Sequence, residues 1–79
     1  MYFVYILESL SCGRNYVGFT QDLNSRLEQH NRENVASTKP FRPWKIIYSE
    51  EKETQIEARK REKYLKTAAG RRWRNKMGM

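Results

Sequence analysis

The run YFVYIL at residues 2–7 and the run NYVGF at residues 15–19 carry the clearest structural signal in the sequence. Both runs are rich in aromatic and β-branched residues, which favour strands. The first run contains no charged residue, which is typical of a strand that is covered on both faces. The residues between the two runs include serine, glycine and arginine and are typical of a turn. The sequence therefore predicts a β-hairpin, in which Tyr5 faces one side of the first strand while Tyr16 and Gly18 share one side of the second.

One helix and one further strand follow the hairpin. Thr20 or Asp22 can cap the helix, which should end near residue 31. Residues 33–43 are polar and contain both prolines of the chain, so they predict a loop. A strand over residues 44–49 comes next, and regular alternation predicts that it places three large side chains on one face: Trp44, Ile46 and Tyr48.

A helix of about three turns follows the third strand. Thr54 and Glu57 form a capping box at its start, and it reaches residue 65 or beyond. Gly70 interrupts the helical pattern, and residues 71–76 predict a short final helix. The order β-β-α-β-α-(α) predicts one α+β domain over residues 1–79, with a small, mostly antiparallel three-stranded sheet.

The positive charge of the chain is concentrated in its C-terminal part. There are 16 Lys and Arg against 9 Asp and Glu, which gives a net charge of +7. Residues 1–51 carry six basic and six acidic side chains, and residues 52–79 carry ten basic and three acidic side chains. A basic segment of this kind attracts polyanions, most commonly nucleic acid, with an affinity that falls steeply with salt. A solvated basic helix that only keeps the protein soluble is the alternative.

Several classes of protein are excluded by composition. The single cysteine, Cys12, excludes an intramolecular disulfide and every multi-cysteine zinc site. The single histidine, His30, excludes a histidine-rich metal cluster. No apolar run approaches the roughly 20 residues that span a membrane. The N-terminal residues lack the features of a signal peptide, so a cytoplasmic protein without a membrane partner is expected.

Five side chains are candidates for chemistry, and each has a simpler explanation. Tyrosines on strands usually pack, and an arginine and a histidine four residues apart usually lie on a solvated helix face with local ion pairs. A glutamate in a basic helix usually pairs with a neighbour such as Arg59 or Lys66. It can also hold a divalent cation together with water and phosphate oxygens. The candidates are Tyr5, Tyr16, Arg26, His30 and Glu62.

The spacing of these residues resembles that of the GIY-YIG nuclease domain. Val4-Tyr5 corresponds to part of the first motif element, and Tyr16-Val17-Gly18 corresponds to the second. Arg26 follows Tyr16 by ten residues, His30 follows four residues later, and Glu62 lies where the family has its metal-binding glutamate. The likeness extends from residue 2 to about residue 73. Within this family, the chain is similar to the small stand-alone bacterial members and to the N-terminal nuclease domain of the excision-repair nucleases.

The resemblance implies a three-stranded antiparallel sheet flanked by helices. It also implies that the protein is a metal-dependent endonuclease, which hydrolyses DNA phosphodiesters in repair or recombination. It implies that Glu62 coordinates one Mg²⁺ or Mn²⁺, and that Arg26 neutralises charge in the transition state. Tyr16 would act as general base or orient the attacking water, with Tyr5 and His30 nearby. Gly18 would let the backbone lie close to the sheet or the substrate.

Binding of the nucleic acid backbone is expected from exposed cations, without a small-molecule cofactor. The protein is expected to be a monomer or a weak dimer. The expected backbone-binding residues are Arg59, Lys63, Lys66, Arg71, Arg72 and Lys39.

The chain departs from the family pattern at two positions. Phe3 replaces the glycine of the first motif element, and Phe19 stands where some nucleases have a lysine. The missing glycine does no acid–base chemistry. The missing lysine removes one cation from the site, for which Lys63 or Arg59 would have to substitute.

Two other functions remain open at this point. One is a nucleic-acid-binding module without catalysis, which would use the same basic face. The other is a docking domain for a repair or recombination protein, which requires an exposed apolar patch built from Phe41, Trp44 and Trp73. For an endonuclease of this size, we expect structure-directed or weakly sequence-specific recognition, on a substrate that is most simply DNA.

Overall fold

The computed structural model describes residues 1–32 and 38–78 of the chain. Within them, three strands and three α-helices follow one another in the predicted order. The elements are β1 (Tyr2–Ser9), β2 (Asn15–Thr20), α1 (Leu23–Asn31), β3 (Trp44–Lys52), α2 (Gln55–Leu65) and α3 (Ala68–Lys76). The α+β class is therefore confirmed, and β3 continues past its predicted end at residue 49.

The strand β1 is the centre of an antiparallel sheet with the order β2-β1-β3. Its apolar sequence suits this position, because a central strand has a neighbour on each side and helices cover both of its faces. Tyr5 pairs with Gly18 in β2 and with Ser49 in β3. Gly13 has a φ of +75° in the β1–β2 loop, a left-handed conformation that favours glycine.

Side chains alternate between two apolar cores, one on each face of the sheet. The α2-side core contains Val4 and Ile6 of β1 together with Ala58 and Leu65 of α2. The α1-side core contains Tyr5, Leu7 and Trp44, against which Leu23 and Leu27 of α1 pack. The alternation along β1 therefore directs Tyr5 toward α1.

The prediction that Trp44, Ile46 and Tyr48 share one face is wrong. The pairing of β3 with β1 passes over Ile47, because consecutive residues of β1 pair with Tyr48 and with Ile46. A β-bulge of this kind shifts the alternation of the strand that carries it. Trp44 and Ile46 consequently pack in the α1-side core, whereas Tyr48 packs against the α2-side core.

Each α-helix is preceded by a residue whose side chain caps the N-terminus of the helix. At α1 the cap is Asp22 and not Thr20, and its carboxylate accepts a hydrogen bond of 3.1 Å from the backbone N–H of Ser25. At α2 the predicted cap is present, since the Thr54 hydroxyl accepts a hydrogen bond of 3.2 Å from the Glu57 N–H. None of the helices in residues 1–32 and 38–78 is long and apolar enough to cross a membrane.

The prediction that Gly70 lies between the long second helix and a final helix over residues 71–76 is wrong. α3 already begins at Ala68, and the hydroxyl of its cap, Thr67, accepts a hydrogen bond of 3.2 Å from the Gly70 N–H. Gly70 is buried against the end of α2, where an added Cβ would lie 2.5 Å from the Cα of Leu65. The absence of a side chain at Gly70 therefore allows α3 to pack closely against α2, and this glycine does not end a helix.

The loop predicted over residues 33–43 is described only in its second half. Residues 33–37 lie outside the described residues, and Lys39–Phe41 form a short 3-10 turn before β3.

The exposed aromatic patch required by a docking domain is not formed. Trp44 is only 3% exposed and belongs to the α1-side core. Phe41 and Trp73 are partly buried and pack against the α1-side and the α2-side core, respectively.

Candidate active site

Tyr5 and Gly18 lie at the centre of the candidate site. They are direct partners in the β1–β2 pair, and the phenol of Tyr5 extends over the glycine. A Cβ at Gly18 would lie 2.6 Å from the Tyr5 hydroxyl oxygen and 2.8 Å from Cζ, which is too close for any side chain. The space that Gly18 leaves above the sheet is therefore filled by Tyr5.

The Tyr5 hydroxyl forms hydrogen bonds with two side chains of α1. Arg26 Nε donates to it at 3.3 Å, and His30 Nε2 lies 3.1 Å from it. The spacing of four residues places Arg26 and His30 on the same side of α1, one turn apart. A second nitrogen of Arg26, Nη1, donates to the side-chain oxygen of Gln29 at 2.8 Å. The guanidinium is thus held at two points, and His30 is fully buried instead of lying on a solvated face.

Burial determines the protonation states in this cluster. Burial of His30 and the positive charge of Arg26 lower the pKa of His30 from 6.5 to about 4. Burial also raises the pKa of Tyr5 above its ordinary value, and the hydrogen bond from Arg26 only partly opposes this effect. Near pH 7 the cluster therefore contains a neutral imidazole and a protonated phenol beside one guanidinium cation.

Thr38 extends the cluster on the far side of His30. Its hydroxyl lies 2.8 Å from His30 Nδ1, and its carbonyl oxygen accepts a hydrogen bond of 2.9 Å from Trp44 Nε1. Since the hydroxyls of Thr38 and Tyr5 can each donate or accept, both neutral tautomers of His30 are hydrogen-bonded at both nitrogens. Thr38 is not among the predicted site residues, because a threonine in a polar loop has no periodicity or motif spacing that marks it.

Tyr16 is the more accessible of the two tyrosines in the cluster. It is partly buried, whereas Tyr5 is 2% exposed. Its ring centroid lies 4.7 Å from that of His30 and 6.3 Å from that of Tyr5. It also interacts with Arg26, whose pKa is raised chiefly by the hydrogen bond to Tyr5 and further by the nearby Tyr16. The structure thus brings four of the five predicted site residues into direct contact.

Glu62, the fifth residue, lies on α2 and forms no hydrogen bond or ion pair with the other four. Burial is the main cause of the raised pKa of Tyr5, and the negative charge of Glu62 makes the smallest contribution. Its side chain is 19% exposed and lies 3.6 Å from the ammonium of Lys66, four residues later on the same helix. The ion pair that charge balance alone predicts is therefore present.

The donor set at Glu62 fits a hard divalent cation. Apart from the ion pair with Lys66, neither oxygen of the carboxylate is engaged by a donor from the described part of the chain. No group of three His, Cys, Asp or Glu side chains converges within that part. Mg²⁺ and Mn²⁺ bind through one carboxylate when waters and phosphate oxygens supply the remaining ligands. Glu62 is thus the residue that would hold such an ion.

The cations expected to bind a nucleic acid backbone are all exposed. Two lie on α2, one is the C-cap residue of α2, two lie on α3, and the remaining one lies in the 3-10 turn. They are Arg59, Lys63, Lys66, Arg71, Arg72 and Lys39.

The two departures from the family pattern occupy packing positions. Phe3 is partly buried in β1. Phe19 packs against the α2-side core, with its ring centroid 6.5 Å from that of Tyr2. Position 19 therefore supplies apolar packing in this chain and no cation.

Known proteins match this chain over nearly its whole length. The GIY-YIG catalytic domain family matches residues 1–77. Similar proteins include three from Staphylococcus aureus: the UPF0213 protein of strain Mu3, UPF0213 protein SAV0488 of strain Mu50 and UPF0213 protein SA0446 of strain N315. Each is 46% identical over 67 residues, which cover 84% of this chain and 80% of the relative. No solved structure gives a significant match. The extent of the family match and the identity to these relatives show that the chain belongs to the GIY-YIG catalytic domain family.

Proposed function

We propose that this protein is a divalent-metal-dependent endonuclease that hydrolyses phosphodiester bonds in DNA. The observation that supports this most is the hydrogen-bonded cluster of Tyr5, Arg26 and His30. A fold can be shared by proteins with different activities, so the proposal rests on the side chains of the site. Two phenols, a fixed guanidinium and a carboxylate provide the groups that metal-assisted hydrolysis of a phosphodiester requires.

In this proposal, Tyr16 binds and activates the attacking water. It is more exposed than Tyr5, so a water molecule bound between substrate and protein reaches its hydroxyl more readily. A hydrogen bond to Tyr16 would orient this water toward phosphorus or accept its proton. Tyr5 has a positioning role, because its single oxygen accepts from Arg26 and shares a hydrogen bond with His30.

In this proposal, Arg26 stabilises the negative charge that develops on the phosphate. When water attacks, negative charge accumulates on the phosphoryl oxygens before the bond to the leaving oxygen breaks. The hydrogen bonds of Arg26 to Tyr5 and Gln29 fix its guanidinium before the substrate binds. A cation that is already in place stabilises this charge without the cost of reorganisation.

Glu62 is assigned to the metal ion. Bound Mg²⁺ or Mn²⁺ supplies Lewis-acid stabilisation of the phosphate and of the leaving oxygen. The carboxylate of Glu62 would exchange its ion pair with the half-exposed Lys66 for the cation. The freed ammonium of Lys66 would then be available to a neighbouring phosphate.

The expected substrate is recognised by its backbone and shape. The exposed cations contact phosphates, which are present in every sequence. A single small module covers only about 600–1,000 Å² of nucleic acid, which leaves little area for contacts to bases. We therefore propose structure-directed or weakly sequence-specific cleavage, in DNA repair or recombination.

A non-catalytic nucleic-acid-binding module is the second candidate. The Glu62–Lys66 ion pair favours it, because a carboxylate that is already neutralised needs no metal ion. Binding alone would require only the exposed cations of α2 and α3. Under this alternative, the contacts among Tyr5, Tyr16 and His30 are packing interactions.

Cleavage of a panel of labelled DNAs separates the two candidates. Single-stranded, duplex, nicked and branched DNA would be incubated at low salt with Mg²⁺, with Mn²⁺ or with a chelator. Tyr16→Phe removes only the hydroxyl, and Tyr2→Phe is the matched control because Tyr2 lies outside the cluster, on the α2 side of the sheet. We expect metal-dependent cleavage by the wild type, a rate about 10²-fold lower in Tyr16→Phe, and an unchanged rate in Tyr2→Phe. If the wild type binds all of these DNAs and cleaves none of them, the result would favour the non-catalytic module.

A further inference from the structure

A cleft with a volume of about 340 Å³ lies on the other side of the sheet from Tyr5. The end of β3 and the outer side of α2 form its walls. The cleft is shallow and open to solvent, so a bound ligand would keep one side exposed. The lining residues are Lys52, Glu57, Lys60, Arg61 and Tyr64, none of which belongs to the proposed catalytic cluster.

Positive charge predominates in this cleft. It contains three cations and one carboxylate. Glu50 lies behind it and is satisfied by three partners: Arg61 Nε donates to it at 2.6 Å, the Tyr48 hydroxyl donates at 2.7 Å, and the Lys52 ammonium lies 3.9 Å away. Lys60 is exposed and has no ion pair with a carboxylate of the described residues. The cleft therefore presents ammonium groups to an anionic ligand, and one of them is uncommitted.

An exposed aromatic ring adjoins these cations. Tyr64 lies on α2 and is 39% exposed. The guanidinium of Arg61 lies 5.2 Å from the centroid of the Tyr64 ring and 4.8 Å from that of Trp73. The contact with Arg61 stabilises the position of the Tyr64 ring. An exposed aromatic ring beside lysines is the arrangement on which proteins stack the bases of single strands.

We infer that this cleft binds a nucleotide of a single-stranded nucleic acid segment, with its phosphate at Lys52 and Lys60 and its base on Tyr64. The inference rests on the proposed function for the choice of nucleic acid as the ligand. It adds a substrate class, namely nucleic acid with a single-stranded extension. An acidic peptide would use the two lysines and leave Tyr64 without a role, whereas a nucleotide uses both features. A base within a duplex is stacked on its neighbours and is not available to the ring.

Binding measured without metal tests this inference independently of cleavage. The probes are a fluorescent oligothymidylate of about 15 nucleotides and a blunt duplex of the same length, in the presence of a chelator. Lys60→Ala combined with Tyr64→Leu removes one charge and one ring from exposed positions. Lys76→Ala removes the same charge from an exposed position outside the cleft. We expect the double variant to bind the single strand at least about tenfold more weakly and the duplex less than about twofold more weakly, with both changes below about twofold for Lys76→Ala.

Besides unchanged binding of the single strand by the double variant, two results would overturn the inference. The first is an equal loss of affinity in the double variant and in Lys76→Ala, which would mean that only the overall charge matters. The second is an affinity for labelled polyglutamate that depends on Tyr64 as strongly as the affinity for the single strand does. Cleavage is scored separately. A wild type that fails to cleave any DNA, while the double variant still loses single-strand affinity, contradicts the proposed nuclease and supports the cleft. Cleavage by the wild type together with unchanged single-strand binding by the double variant contradicts only the cleft.

Discussion

Lowering the pH from about 7.5 to about 5 is expected to destabilise the fold through one buried group, His30. Burial and the charge of Arg26 lower the pKa of this imidazole from 6.5 to about 4. Between these two values the unfolded chain binds a proton that the folded protein excludes. His30 therefore does not lower the free energy of unfolding above pH 6.5. Below pH 6.5 the free energy of unfolding falls progressively until the pH reaches about 4.

The size of this effect follows from the two pKa values. Since a tenfold change in an equilibrium constant corresponds to about 1.4 kcal/mol, the free energy of unfolding is lower by about 3 kcal/mol once the pH is below both pKa values. At pH 5 the same relation gives about 2 kcal/mol. The total stability of a domain is typically about 5–15 kcal/mol, so the loss is readily measurable.

Urea unfolding followed by circular dichroism at both pH values measures the difference. The comparison is with His30→Gln, which stays neutral at both pH values and can still donate and accept hydrogen bonds. His30 is the only histidine of the chain. The carboxylates with lowered pKa values, Asp22 and Glu50, stay ionised at pH 5 in both proteins. We expect the wild type to lose about 2 kcal/mol and the variant less than about 0.5 kcal/mol. Equal losses in the two proteins would refute the assignment to His30.

Three further substitutions test individual contacts. Gly18→Ala places a methyl group 2.6 Å from the Tyr5 hydroxyl, so we expect urea unfolding to show a loss of about 1–3 kcal/mol. Gly70→Ala pushes α3 away from α2 and should lower the melting temperature by several degrees or more; an unchanged value would mean that the helices do not touch here. Thr38→Val removes the hydroxyl beside His30 Nδ1, and we expect cleavage to slow and the imidazole NMR signals to shift, with both effects reversed in Thr38→Ser.

Most of the fold could be predicted because its signals are local. The apolar run of β1 and the capping box of α2 each act within a few residues, so sequence spacing alone identifies them. The two wrong predictions concern Ile47, at the bulge of β3, and Gly70, at the contact of α2 with α3. Both depend on what lies opposite the residue in the folded chain, and neither leaves a periodic pattern in the sequence.

The candidate site could be predicted to a similar degree, for the same reason. The interval of four residues between Arg26 and His30 already places them on the same side of a helix. The relation of Tyr5 to Gly18 follows from the register of the hairpin, which the sequence does not fix. The contact of Thr38 with His30 joins two segments through tertiary structure, so it could be found only from the folded chain.

Our main claim is that Glu62 makes this protein a metal-dependent nuclease, and single-turnover cleavage by Glu62 variants tests this role. Wild type, Glu62→Gln and Glu53→Gln would be compared on the preferred DNA, with binding measured in parallel. Glu53→Gln removes the same charge from an exposed position just before α2 and is the matched control. We expect Glu62→Gln to bind DNA normally and to cut it at least about 10²-fold more slowly, while Glu53→Gln cuts like the wild type. Cleavage by Glu62→Gln at the wild-type rate, with the same dependence on Mg²⁺, would contradict the claim.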